Sequence, residues 1–232
     1  MGLTGAGGAL VAIPLFMQLL GMGLKEASVH SLFAVVIASL INFFAQRKST
    51  QYRTAIIMVS LSALGSYLTA PYKENLPTTA VAILLTMVSL YALYNVWAPL
   101  KITESAVAVA RDNSPLSMLI GLLLGALTTF TGLGGGVLML PLFLTLYRYS
   151  QTQAVATSLF AVGLSSLASL AVQIVRGSHF ETKIELVYLL GGILFSVYIL
   201  KQFVKHLSAE AVTRSRQLLF TGVVVLALLK IF

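Results

Sequence analysis

Thr131–Phe143 reads T-G-L-G-G-G-V-L-M-L-P-L-F, and Thr4–Phe16 reads T-G-A-G-G-A-L-V-A-I-P-L-F. With Pro14 set on Pro141, the two stretches stay in register without a gap, and Gly5, Gly7 and Gly8 fall on Gly132, Gly134 and Gly135. The match continues downstream: S-L-F-A-V recurs at Ser31–Val35 and Ser158–Val162, and Gln46 falls on Gln173. Each glycine run lies inside apolar sequence, where a helix is the default. A Gly in a helix interior costs about 1 kcal/mol relative to Ala, so both runs predict a break. A duplicated, broken helix at membrane depth points to the transport site of a secondary carrier.

Composition sets the surroundings. The chain is 58% hydrophobic and 9% charged, with a mean hydropathy of +0.93, whereas a globular protein has about 25% charged residues. This is a polytopic membrane protein, all-α. The seven acidic residues (Glu26, Glu74, Glu104, Asp112, Glu181, Glu185, Glu210) lie at or near the ends of apolar stretches. The net charge of +8 therefore belongs to loops beside lipid headgroups and not to a nucleic-acid surface. There is no cysteine, which removes disulfides and thiolate metal sites. The N-terminus lacks a basic n-region and consists of the repeated motif, so it reads as mature structure and not as a signal peptide.

Eight apolar segments follow, four per copy, near 2–22, 26–46, 53–71, 77–98, 115–147, 151–176, 184–204 and 215–232. They divide the chain into a first repeat (1–100), a connecting loop (101–114) and a second repeat (115–232). Asn113 or Ser114 before Pro115 is a helix start signal. Lys73–Pro77, Arg176–Lys183 and Ser208–Arg214 read as short turns. The fifth segment has 33 residues; as one straight helix it would reach roughly 50 Å, against a hydrocarbon core of about 30 Å. It must be either a kinked, tilted span or a re-entrant hairpin of two half-helices.

Loop charge favours the hairpin. With eight full spans, Lys and Arg divide 7 to 8 between the two sides, which gives no orientation. With the first and fifth segments re-entrant the division is 10 to 5, and the side holding Arg47, Lys48, Arg53, Lys101, Arg111 and Arg148 is cytoplasmic by the positive-inside rule. Three spans per half would also invert the second copy relative to the first. The copies are unequal: about sixteen apolar residues precede the second motif and three precede the first. The expectation is that the leading half-helix of the first repeat is missing.

Three sets of residues could bind a solute. Thr4, Gly5, Gly7 and Gly8, with Thr131, Gly132, Gly134, Gly135 and Gly136, would offer successive backbone N–H groups as an anion-holding nest, backed by the positive end of the following half-helix. Pro14 and Pro141 would kink that half-helix. The competing reading is close helix packing through small residues, since Gly121/Gly125 and Gly132/Gly136 each fit G-x-x-x-G. Next comes a polar stripe: Ser28, Ser31, Ser39, Asn42 and Gln46 fall within roughly 80° of arc. Its counterpart is Ser158, Ser165, Ser166, Ser169, Gln173 and Arg176, beside Thr157. Such hydroxyls and amides either ligate a polar solute or bond between helices, and Ser31 and Ser158 stand out because each opens the repeated S-L-F-A-V. Third, His30 replaces the Thr157 of the other copy, and a histidine either attracts an anion or serves as a hydrogen-bonding group. Arg47 and Arg176 read as headgroup anchors. Tyr67, Tyr72, Tyr91, Tyr94, Trp97, Tyr147 and Tyr149 read as an interfacial belt.

The sequence offers no intramembrane Asp or Glu for a proton or sodium relay. It has no H-E-x-x-H, no P-loop and no Ser–His–Asp set. No cofactor, metal or enzymatic activity is expected. The partners expected are the lipid bilayer and a small anionic solute, with further copies of the chain (a homo-oligomer) left open.

G-x-G-G-G, an apolar run, Pro and then A-x-x-T-S-L, in a chain of this length, resembles the TauE/SafE family of sulfite exporter and sulfonate permease-like membrane proteins. The closer match is G-L-G-G-G-V-L-M-L-P with A-V-A-T-S-L at Ala154–Leu159; the first copy departs from it at Ala9 and His30. The resemblance implies carriage of sulfur oxyanions or organosulfonates, such as sulfite, sulfoacetate or thiosulfate, across the cell membrane. An anion channel is the nearer alternative, and a non-transporting partner subunit or membrane enzyme the more distant one.

Overall fold

The structure is a computed structural model that describes residues 8–97 and 114–176, with 218 and 221–222 besides. The described residues form seven α-helices and no strand: α1 Gly8–Leu19, α2 Leu24–Gln46, α3 Tyr52–Asn75, α4 Thr78–Trp97, α5 Ser114–Thr131, α6 Gly136–Thr145 and α7 Gln151–Val175. Leu24–Ser49, Tyr52–Lys73, Thr78–Asn95 and Gln151–Val175 are long and apolar enough to cross a membrane. The apolar segment 184–204, the linker 101–113 and most of 215–232 lie outside the described residues, as do Thr4, Gly5 and Gly7.

Local sequence explains the helix ends. α5 begins at Ser114 with Pro115 next, where a proline's missing N–H costs nothing. α7 opens on a capping box: Gln153 N–H donates to Ser150 Oγ (3.3 Å) and Ser150 N–H donates to Gln153 Oε1 (3.2 Å). Pro14 and Pro141 stand inside the short helices α1 and α6, where each removes one rung of the ladder.

The fifth apolar segment is a hairpin. α5 ends at Thr131, α6 begins at Gly136, and Gly132, Gly134 and Gly135 take φ of 71°, 68° and 65°. Ser117 near the start of α5 and Tyr147 just past α6 join hydroxyl to hydroxyl at 2.6 Å. The chain thus returns to the end from which it entered. Tyr149 and Thr54 make the same kind of bond at 2.7 Å, which puts the entry end beside the start of α3.

Contact positions fix the directions of the other helices. Lys73 bridges Ser28 and Gln173, Gly134 touches Val35 and Ser166, and Gly163 faces Ser39 and Leu40. Contacts that climb α2 therefore descend α7, and the two helices run antiparallel. α3 and α5 run parallel, since Gly121 packs on Met58 and Gly125 on Ser62. A Cβ on Gly65 or Gly125 would overlap the backbone carbonyl of Leu122 or Ser62, so these glycines set how closely α3 and α5 approach. Ser66 donates to the Gly125 carbonyl at 3.1 Å across the same seam. Leu64, Leu68, Ile83, Met87 and Leu90 on α3 and α4 are exposed, as a lipid-facing surface requires.

Two expectations are corrected. Tyr147 and Tyr149 do not join an interfacial belt; both are buried around Phe143, with ring centroids 5.5 and 5.6 Å from it. Their hydroxyls are satisfied inside the protein, which removes the need for the headgroup region. Tyr67, Tyr72, Tyr91, Tyr94 and Trp97 are exposed. The Lys73–Pro77 turn narrows to Leu76–Pro77: α3 runs through Pro71 to Asn75 and α4 starts at Thr78, because the exposed Pro71 sits in a helix whose other rungs persist, and Lys73 is buried.

The hairpin gives a topological expectation. The chain has no native cysteine, so single cysteines placed near Gly23 and near Arg148 can be labelled cleanly from each side of the membrane. We expect labelling from opposite sides; same-side labelling would contradict the hairpin.

Candidate functional site

The tip of the hairpin is built by its own threonines and glycines. Thr131 Oγ1 donates back to Leu127 O (2.7 Å) and accepts from Leu133 N–H (3.3 Å), while Gly132 N–H donates to Thr128 O (2.9 Å). These bonds close α5 and start the turn. Positive φ at Gly132, Gly134 and Gly135 completes it, a conformation that costs an L-residue with a Cβ about 1–2 kcal/mol. Leu138 and Met139 N–H both donate to Gly135 O (3.1 Å), so α6 presents the N–H groups of Gly136 and Val137, for which a helix start offers no intrahelical acceptor, at the positive end of its dipole.

The tip sits between α2 and α7. Ser31 Oγ shares its proton between Gly132 O (2.7 Å) and Ser28 O (2.8 Å). A Cβ on Gly132 would run into the Ser28 backbone, so only glycine permits this approach. Ser31 lies about 10 Å along α2 from its start at Leu24, at 1.5 Å per residue. The tip therefore lies well inside the span, nearer the Gly23 end.

Beside it is a buried cation. Lys73 is 6% exposed, and its Nζ donates to Ser28 Oγ (2.9 Å) and Gln173 Oε1 (2.6 Å). Gln173 Nε2 in turn donates to Ser169 O (3.3 Å), and Ser169 Oγ meets Ser66 Oγ at 2.5 Å. Lys73 on α3 is thus tied to Ser28 of α2 and Gln173 of α7, beside the hairpin tip. Burying an ammonium costs several kcal/mol even after relaxation. Among the described residues no cluster of His, Cys, Asp or Glu is placed to hold a metal ion.

The tip brings together Thr131, Gly132, Gly134, Gly135, Gly136 and Ser31, with Gln173 and Ser169 reached through Lys73 and Ser28. It does not bring in the other end of the stripe. Asn42 and Gln46 are half-buried, and Asn42 Nδ2 donates into its own helix at Ala38 O (2.7 Å). Thr157 Oγ1 accepts from Gln51 N–H (3.0 Å) and Ser158 Oγ donates to Val155 O (2.9 Å), both at the far end of α7. Gly8 begins α1. His30 is buried beside Phe16, with its Nδ1 on Glu26 O at 3.1 Å. Arg176 is exposed, its guanidinium 4.9 Å above the Tyr67 ring, so the α7 stripe stops at Gln173.

Lys73 is a residue of this cluster that the sequence places in a turn. The signal was present: Ser62, Ser66, Thr69 and Lys73 recur at helical spacing and share one face of α3.

The profile of the Sulfite exporter TauE/SafE family matches residues 1–231. The chain belongs to the TauE/SafE family. Its similarity to three curated proteins is low. A probable membrane transporter protein of Xylella fastidiosa is 26% identical over 200 residues, which is 83% of this chain and 76% of the relative. One of Methanocaldococcus jannaschii is 25% identical over 179 residues, 72% of this chain and 65% of the relative. One of Bacillus subtilis is 24% identical over 200 residues, 75% and 73% of the two chains. No solved structure matches this TauE/SafE chain.

Proposed function

We propose that this chain carries small anions across the cell membrane, by export or facilitated flux of sulfur oxyanions and organosulfonates. The observation that carries this reading is the buried Lys73, held by Ser28 and Gln173 beside the glycine tip. A cation, hydroxyls and half-helix N–H groups make a site that attracts negative charge and repels cations. Membership of the TauE/SafE family and relatives named as probable membrane transporters supply the class. The antiparallel course of α2 and α7, which carry the matching S-L-F-A-V stretches, supports reading the two sequence copies as inverted repeats around a mid-membrane site.

Direction follows from electrostatics. Each negative charge that leaves a cell gains about 2.3 kcal/mol per 100 mV of inside-negative potential. Export thus needs no acidic relay, whereas uptake would need a coupling ion.

The test is flux from proteoliposomes loaded in turn with sulfite, thiosulfate, sulfoacetate and chloride. We expect saturable efflux of at least one sulfur oxyanion, driven by an inside-negative potential. Movement of cations alone, or of nothing, overturns the reading, and fast non-saturating current makes the protein a channel.

A further inference from the structure

Two buried hydroxyls at the hairpin tip have no partner. Thr128 is 1% exposed and Ser166 is 0% exposed, yet neither Thr128 Oγ1 nor Ser166 Oγ makes a hydrogen bond. Hydroxyls within helices ordinarily bond back to a carbonyl three or four residues earlier, and the sequence neighbours here do so. Thr129 Oγ1 donates to Gly125 O (3.0 Å) and Ser165 Oγ to Val162 O (3.2 Å). A donor kept buried and unpaired costs free energy, so two of them in one place call for a ligand.

Both lie against the same turn. A Cβ on Gly134 would come within 2.6 Å of Ser166 Oγ, and one on Gly135 within 3.2 Å of Thr128 Oγ1. The two glycines are consecutive, so their Cα atoms are about 3.8 Å apart. Gly135 is also the N-cap of α6 and offers no side chain to the first turn. Two unpaired hydroxyls thus flank consecutive glycines of the buried turn, Ser166 against Gly134 and Thr128 against Gly135, at the residues that open α6.

We propose that Thr128, Ser166 and the first turn of α6 form a second anion subsite, which takes the oxygens of an oxyanion. It is distinct from the Lys73–Ser28–Gln173 cluster beside Gly132. Donors spread over several ångströms suit a group that carries several oxygens better than they suit a halide, which offers one centre. Two neighbouring stations, one charged and one neutral, would let an anion enter strongly enough to bind and weakly enough to leave. This proposal rests on the anion-transport reading.

The experiment compares wild type with Thr128→Val, Ser166→Ala and the double variant in proteoliposomes, measuring concentration-dependent efflux of sulfite and of chloride, with thermal unfolding of the detergent-solubilised protein alongside. The apparent KM for sulfite should rise about tenfold or more in the double variant, the loss of hydrogen bonds to a charged ligand. Any chloride efflux should change less than threefold, and the melting temperature should hold or rise because no existing bond is removed. An unchanged sulfite KM overturns the subsite, and so does a marked fall in melting temperature, which would mean that the hydroxyls have structural partners. If wild type itself moves no anion, the transport reading has failed; if it does and the double variant matches it, only the subsite has failed.

Discussion

Lys73→Met is expected to reduce anion flux by about a thousandfold while leaving the protein folded. The magnitude comes from Coulomb's law: a unit charge about 4 Å from an anion contributes about 4 kcal/mol at an effective dielectric constant of 20. Each 1.4 kcal/mol is about a factor of ten. Stability should respond very differently. Methionine has a similar length and no charge, so the substitution removes the desolvation cost of a buried ammonium. It also takes a donor from Ser28 Oγ and Gln173 Oε1, each deprived acceptor costing about 1–3 kcal/mol. The two effects oppose, and the melting temperature should move little. Lys73→Arg keeps the charge on a bulkier group and should restore part of the flux. Measured together, efflux and thermal unfolding separate the roles. Full flux in the Met variant would make Lys73 a helix tie and remove it from the transport site.

The glycine runs and the excess length of the fifth apolar segment announced a break at Thr131–Gly136, and α5 does end at Thr131 with α6 starting at Gly136. Hairpin and kinked span could be separated only by loop charge, since both satisfy the same local sequence. The contact that decides between them, Ser117 to Tyr147, joins residues thirty apart and has no local signature. The polar stripe on α2 was legible from its period, but not which of its members would meet the tip. That depends on the register of α2 against α7, set by Gly134 on Val35 and Ser166 and by Gly163 on Ser39 and Leu40. Lys73 is hard to place from sequence because Pro71 and the charged Lys73–Glu74 pair resemble a helix end. The helix persists because its lost rung lies on an exposed side, and Lys73 gains acceptors on two neighbouring helices.

Gly135→Leu should abolish flux without preventing insertion into the membrane, and the comparison with Gly21→Ala shows why. Both glycines take left-handed φ, 65° at Gly135 and 67° at Gly21, so each substitution carries a backbone strain of about 1–2 kcal/mol. Gly21 has open space where a Cβ would go, whereas a Cβ on Gly135 meets Thr128 Oγ1 at 3.2 Å and Leu124 at 3.8 Å. A leucine there must push the branched end of its side chain into the turn between α5 and α6. It would cover the first N–H groups of α6 and move Thr128, the groups proposed above to hold an anion. Gly21→Ala should therefore retain flux within about threefold despite its strain, since a loss of 1–2 kcal/mol falls within the stability of a folded domain. Gly135→Leu should fall below detection while surface expression and labelling at an introduced cysteine near Arg148 remain normal. Equal losses in the two variants would mean that strain alone limits the protein; a working Gly135→Leu would place the anion path away from the hairpin tip.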